Sequence, residues 1–257
     1  MTPQIFRNSG FHFGTQTPSP YQGAICNEVF MNGHSSAKSL FGGAIKTVFP
    51  DHFLDASYFP SLCKWLMPRN FRSVPDNQEV FVSNLDDTSI IFDILEQVPA
   101  SDASAAEFHF DALAVDNEVD EDDDGDSRVF STRALPSSEH SKLPSVPCWT
   151  LAGYQRVVKG YYRGSVGRAP AGLAQYVIIF LVVFRFAEKE TDVVISLNYP
   201  VGTEEEVAAI HGEDVKDVLA WIDEAPGVSD AENVLKDIVA NLEILDWSLF
   251  DEGDEEE

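Results

Sequence analysis

The densest chemistry in the chain is an acidic run in which Asp120, Asp122 and Asp124 alternate and Gly125 follows. That is the opening half of a calcium loop, where alternate carboxylates face one hard cation and glycine makes the sharp turn. The second half departs from the pattern. Its twelfth position would be Ser131, which has no bidentate carboxylate to give, and the exit carries Pro136 where a helix should start. The run is therefore expected to be a solvated acidic loop, with no metal. His109, in Glu-Phe-His-Phe, has no second His at four-residue spacing and reads as a packed or surface histidine rather than a ligand. Gly160, Gly164, Gly167 and Gly172 lack the Gly-Lys-Ser/Thr ending that a phosphate-cradling loop needs. Neither a G-x-S-x-G elbow nor an H-E-x-x-H helix occurs. A small hydrolase built from dispersed residues would require a deep polar pocket. No cofactor is expected.

Two other strings are more informative. In Leu40-Phe41-Gly42-Gly43-Ala44-Ile45 the paired glycines suggest a backbone bend or a close approach. In Val74-Pro75-Asp76-Asn77-Gln78-Glu79-Val80-Phe81 the proline stiffens entry into a strand whose Val80 points opposite to Glu79 and Phe81. Local chemistry alone favours a solvated turn for Asp76 and Glu79.

The elements that position these strings follow from periodicity. Glu79 to Ser83 and Ser89 to Glu96 read as two strands of a hairpin, broken by Asn84, Asp86 and Asp87. Ala105, Phe108, Ala112 and Val115 recur at helical steps and predict an amphipathic helix from Ala105 to Val115 laid against that sheet. Trp149 to Val158, Tyr176 to Phe186 and Asp192 to Tyr199 read as strands, the last two joined by the turn Glu188-Lys189-Glu190. The stretch from Tyr176 to Phe184 is apolar at every position, so this strand should be covered on both faces. Asp214 to Ile222 offers a short helix before Pro226-Gly227. Ser229 and Glu232 are spaced as a capping box for a helix with Leu235, Ile238, Val239, Leu242 and Leu245 on one face. An α/β sandwich with a largely antiparallel sheet follows.

Composition bounds the function. The 257 residues carry 17 Lys and Arg against 43 Asp and Glu, a net charge of −26, with 44% hydrophobic residues and 18 Phe to build a core. Eight carboxylates lie between Asp116 and Asp126 and six between Asp251 and Glu257, leaving about −12 on the rest. Such a surface repels phosphate backbones, so nucleic acid is not an expected partner and basic protein surfaces are. Cys26, Cys63 and Cys148 fit neither a disulfide framework nor a metal pair, which implies a reducing compartment. The longest apolar run falls short of the roughly 18 to 20 residues of a membrane span, and no membrane association is expected. Residues 1–38 are rich in Ser, Thr, Pro, Gly, Asn and Gln and are expected to be a flexible extension. With one Arg before Lys38 they lack the basic helix of an import leader.

The two strings, the helix around Phe108-His109-Phe110, the strands Tyr176 to Phe186 and Thr191 to Pro200, and the terminal Asp246-Trp247-Ser248-Leu249-Phe250 together resemble the Ran guanine nucleotide release factor family, the Mog-type nuclear import factors. The likeness runs in order from Leu40 to Phe250. It implies the Mog/PsbP-like fold: an α/β domain over 39–250 whose central, largely antiparallel sheet is sandwiched between helices, with a disordered N-terminal extension and an acidic tail over 251–257. It also implies a non-covalent regulator of the nucleus and cytoplasm that binds the GTPase Ran and promotes nucleotide release. A Ran-binding co-regulator is a further candidate partner. The family's Ran-binding surface maps onto Asp76 and Glu79, with Asn77 and Gln78 between them. The alternative is a PsbP-like scaffold that serves another basic partner. Segments 58–70 and 161–173 look inserted relative to the family pattern. Both lack acids and carry Lys64, Arg69, Arg163 and Arg168.

Overall fold

The computed structural model describes residues 34–56, 76–117, 119, 126–158 and 174–251. The extension as far as residue 33, the segments 58–70 and 161–173, the carboxylates 120–124 and the tail beyond Asp251 lie outside the described residues. The strands among the described residues are β1 (Ser35–Leu40), β2 (Ile45–Pro50), β3 (Phe53–Asp55), β4 (Gln78–Ser83), β5 (Ser89–Glu96), β6 (Ser127–Ala134), β7 (Cys148–Val158), β8 (Ala174–Phe186), β9 (Thr191–Pro200) and β10 (Glu243–Ile244). The α-helices among the described residues are α1 (Asp102–Asp116), α2 (Glu204–Ile210), α3 (Val215–Glu224) and α4 (Pro226–Ala240). Seven strands form one sheet in the order β3, β4, β5, β9, β8, β7, β6, and β1, β2 and β10 form a second. All pairings are antiparallel.

The apolar run from Ile178 to Phe184 forms the middle of β8 and is buried on both faces. Ile179, Leu181 and Val183 meet Ala105, Ala106, Phe110 and Leu113 of α1. Ile178, Phe180, Val182 and Phe184 belong to the main core, which α4 and the small sheet cover. Helices thus close both sides, as continuous apolarity requires.

Several local readings are corrected. β1 begins at Ser35, inside the stretch 1–38 read as a flexible extension, because pairing with β2 organises a sequence with no apolar period of its own. β6 lies where no strand was read: only Phe130 of its eight residues is buried, so alternation is too weak to show. α1 is turned from its expected face. Phe108 and Val115 point outward at 45% and 59% exposure, while His109 points inward. A polar histidine scores as outward in an apolar count, yet Asp192 of β9 receives it at 3.0 Å. Pro226, read as a break, opens α4 from its first turn. Ser229 and Glu232 therefore lie inside the helix instead of capping it. Leu245 falls beyond the helix end and is exposed. A capping box is found instead at Thr203 and Glu206, which start α2.

A buried charged network fastens α1 to the sheet. The Asp192 carboxylate accepts from Arg185 Nε at 3.1 Å, from His109 Nε2 at 3.0 Å and from the Val98 N–H at 3.1 Å. Arg185 also donates to the carbonyls of Ala100 and Val98 at 2.7 and 2.8 Å and to Asp102 in the first helical turn. Where α1 crosses β7, Gly153 lets it approach. A Cβ there would lie 2.6 Å from the Arg128 carbonyl oxygen and 2.9 Å from the Phe110 ring. Gly153→Ala is expected to cost about 1 to 3 kcal/mol, read from urea unfolding. An unchanged midpoint would show that the helix can withdraw freely.

Candidate protein-binding edge

Asp76 and Asn77 form the turn that leads into β4, and β4 pairs with β5 from Gln78↔Asp93 onward. Asn77 pins this corner. Its carbonyl accepts the Ile94 N–H at 2.9 Å, and its side-chain Nδ2 donates to the Ile94 carbonyl at 3.0 Å. Asp76, next to that pin, is exposed. A carboxylate at a fixed turn retains its hydration while free and can exchange it for a cationic partner.

The alternation of β4 divides the remaining two residues. Gln78 turns toward the face that carries Val80, and its Nε2 donates to Asp93 Oδ1 at 2.7 Å. Gln78 is buried, so its expected place on the binding surface is corrected: the side chain supports the edge from inside. The cause is Asp93, a carboxyl on the adjacent strand that needs a donor. Burial pushes the Asp93 pKa up to about 7 against the lowering effect of the Gln78 hydrogen bond, and the Asp116 charge raises it further. Glu79 turns to the opposite face with Phe81, as strand geometry dictates. It is half-buried, and its Oε1 accepts the Phe41 backbone N–H. Burial raises the Glu79 pKa, the Phe41 hydrogen bond opposes this, and the Asp55 charge adds to the rise.

Phe41 belongs to the turn between β1 and β2, where the two glycines bring the chain over the start of β4. Phe41, Gly42 and Gly43 have φ of 50°, 65° and 102°. The left-handed region is open to glycine, but at Phe41 it costs about 1 to 2 kcal/mol. The bend read at Gly42-Gly43 is therefore present and starts one residue earlier.

Beside this turn runs a segment that periodicity assigned in part to a helix. The N–H groups of Leu245 and Asp246 both donate to the Ala44 carbonyl, at 2.7 and 3.1 Å. Asp246 then accepts from Ser248, both N–H and hydroxyl, opening the short 3-10 turn Trp247–Phe250. Those bonds hold the exposed Asp246 carboxyl below its usual pKa. Trp247 stacks edge-on against Phe186 at 5.4 Å and still exposes 42% of its surface; Leu245 exposes 56%. Lys189 pairs with Asp251 at the same end. In the sequence this strip was marked only as the end of a helical face at Leu245 and as the terminal string Asp246-Trp247-Ser248-Leu249-Phe250.

The other chemical candidates are used structurally. Asp126, the last carboxylate of the acidic run, is buried against Arg156 at 3.3 Å. Among the described residues no group of three His, Cys, Asp or Glu side chains could hold a metal ion. A cleft of about 280 Å³ lies between α4 and β6 to β8. Its floor includes Phe180, Val182 and Leu235, and its charged Arg133 and Lys236 are paired with Glu139 and Glu232.

An α/β sandwich with a pinned acidic corner and an exposed aromatic strip has the makings of a protein-recognition domain. The comparisons give that class a family. Residues 38–200 match the model for the Ran-interacting Mog1 protein, and the chain belongs to that family. A Ran guanine nucleotide release factor of Danio rerio is 32% identical over 64% of this chain and 78% of its own length. The nuclear import protein mog1 of Schizosaccharomyces pombe is 30% identical over 63% of this chain and 75% of its own. The crystal structure of the Ran-binding protein Mog1p of Saccharomyces cerevisiae superposes with a TM-score of 0.55 at 25% identity, covering 84% of this chain and 98% of that one.

Proposed function

We propose that this protein binds the small GTPase Ran through its Asp76 corner and promotes release of Ran's guanine nucleotide, in support of nuclear import, acting in the nucleus and the cytoplasm. Family membership names the partner. The observation that carries the site is the exposed Asp76 carboxylate on a turn fixed by both polar groups of Asn77. Asp76 forms a charge-assisted hydrogen bond with a Lys or Arg of Ran, Asn77 and Gln78 hold the corner in register, and Glu79 ties the start of β4 to the Phe41 turn.

Nucleotide release requires no bond making. A partner that binds empty Ran more tightly than loaded Ran must weaken nucleotide affinity by the same factor. Moving a population from 1:99 to 99:1 takes about 5.5 kcal/mol of differential binding, so preference for one state of Ran is the whole mechanism. The acidic surface adds attraction over a Debye length, which speeds encounter and fades with added salt.

Stopped-flow release of a fluorescent guanine nucleotide from Ran tests this directly. The chain is expected to accelerate release, and Asp76→Lys is expected to weaken Ran binding by at least about tenfold, or about 1.4 kcal/mol, without altering unfolding. Release that is indifferent to the protein, together with no association at low salt, would end the reading.

A further inference from the structure

The Glu79 carboxylate is engaged before any partner arrives. It accepts the Phe41 N–H, and Phe41 in turn accepts the Ala44 N–H at 3.2 Å. The Ala44 carbonyl receives both Leu245 and Asp246. One chain of hydrogen bonds therefore joins β4 to the turn and the turn to the C-terminal strip. β10 reinforces the strip by pairing Glu243 and Ile244 with Lys46 and Ile45 of β2. The turn's left-handed Phe41 needs an external restraint, and a half-buried acceptor aimed at its N–H is that restraint. What the turn holds in place is apolar and exposed: Leu245 and, next to it in the chain, Trp247. Apolar and aromatic anchors next to charge are the makeup of interface centres.

We propose that Glu79 is a positioning residue for Ran binding, setting the Leu245–Trp247 strip through the Phe41–Ala44 turn as an apolar contact for Ran beside the Asp76 charge. The inference rests on Ran being the partner, and it assigns the acidic pair two different tasks. Asp76 meets a cation of the GTPase, whereas Glu79 shapes the neighbouring surface. The occupant follows from continuity: hydrogen bonds through Ala44 and Phe41 tie the strip to Glu79, in the same signature string as Asp76, so a partner that meets Asp76 is the one the strip would serve.

Glutamine separates the two tasks, because its side-chain oxygen still accepts the Phe41 N–H while the charge is gone. Binding of the full chain to nucleotide-free Ran would be measured by calorimetry, and amide hydrogen exchange would be followed in the free protein. Glu79→Ala is expected to weaken binding at least tenfold and to speed exchange at Phe41, Leu245 and Asp246. Glu79→Gln should recover most of the affinity and most of the protection. Leu245→Ser should weaken binding about fivefold or more while Phe41 exchange stays slow. The proposal is overturned if Glu79→Gln binds as poorly as Glu79→Ala with its Phe41 amide protected, since Glu79 would then be a charge contact. Leu245→Ser with wild-type affinity also overturns it and leaves the Asp76 reading standing. A wild-type chain that ignores Ran strikes the functional reading itself.

Discussion

Asp93→Asn is expected to make the fold more stable at pH 8 and to leave it nearly unchanged at pH 4. The Asp93 carboxyl lies buried between β4 and β9, with a folded pKa of about 7 against 3.8 for a free aspartate. Between those values the folded state binds a proton that the unfolded state has released, so stability falls as pH rises. The penalty is absent below about 3.8, grows through the window and is complete above about 7. A span of that width corresponds to about 4 kcal/mol at most, and relaxation of the surroundings reduces it. Asparagine keeps an oxygen for Gln78 Nε2 and carries no charge. Urea unfolding of both proteins from pH 4 to pH 8 measures the effect. Parallel stability curves would mean that Asp93 is ionised in the fold without cost.

The second large effect is at the network under α1. Asp192→Ala is expected to cost about 3 to 5 kcal/mol, because it leaves the Arg185 guanidinium buried without its main counter-charge. The helix should feel this first: Arg185 and Asp192 hold the carbonyls and the N–H of the segment from Val98 to Ala100 that leads into it. Replacing His109, Arg185 and Asp192 together by apolar residues of similar volume should cost much less than the single change. Denaturant midpoints for the single and triple variants, with exchange rates across α1, decide the matter. A single variant within about 1 kcal/mol of wild type would show that the remaining acceptors suffice.

These two sites also show where the sequence could be read and where it could not. β8 was legible because every residue from Tyr176 to Phe184 is apolar, and the hairpin of β4 and β5 because branched residues flank Asn84 to Asp87. The orientation of α1 was not legible. It depends on His109 meeting Asp192, 83 positions away, and no local pattern carries a pairing of that range. Gln78 and Glu79 are a parallel case. Both stood in one polar string, and strand alternation sends them to opposite faces, one toward Asp93 and the other toward Phe41. Asp76 needed only its place in the turn to be exposed. The strip of Leu245 and Trp247 was counted in part as helix, because a 3.6-residue period continues past the point where Asn241 ends α4.

The order of strands in the large sheet has a kinetic consequence. β9 lies between β5 and β8, so Ser89 to Glu96 must await residues made about a hundred positions later. On the ribosome the β4–β5 hairpin would emerge with its Phe92 side uncovered and one margin open. In the meander from β6 to β9 each strand pairs with its neighbour in sequence, which makes it the natural nucleus onto which the earlier hairpin condenses. β10 follows later still and completes the small sheet. A nascent chain of this design has a long interval in which sticky β-structure is exposed, and chaperone occupancy should be greatest between the synthesis of β5 and that of β9.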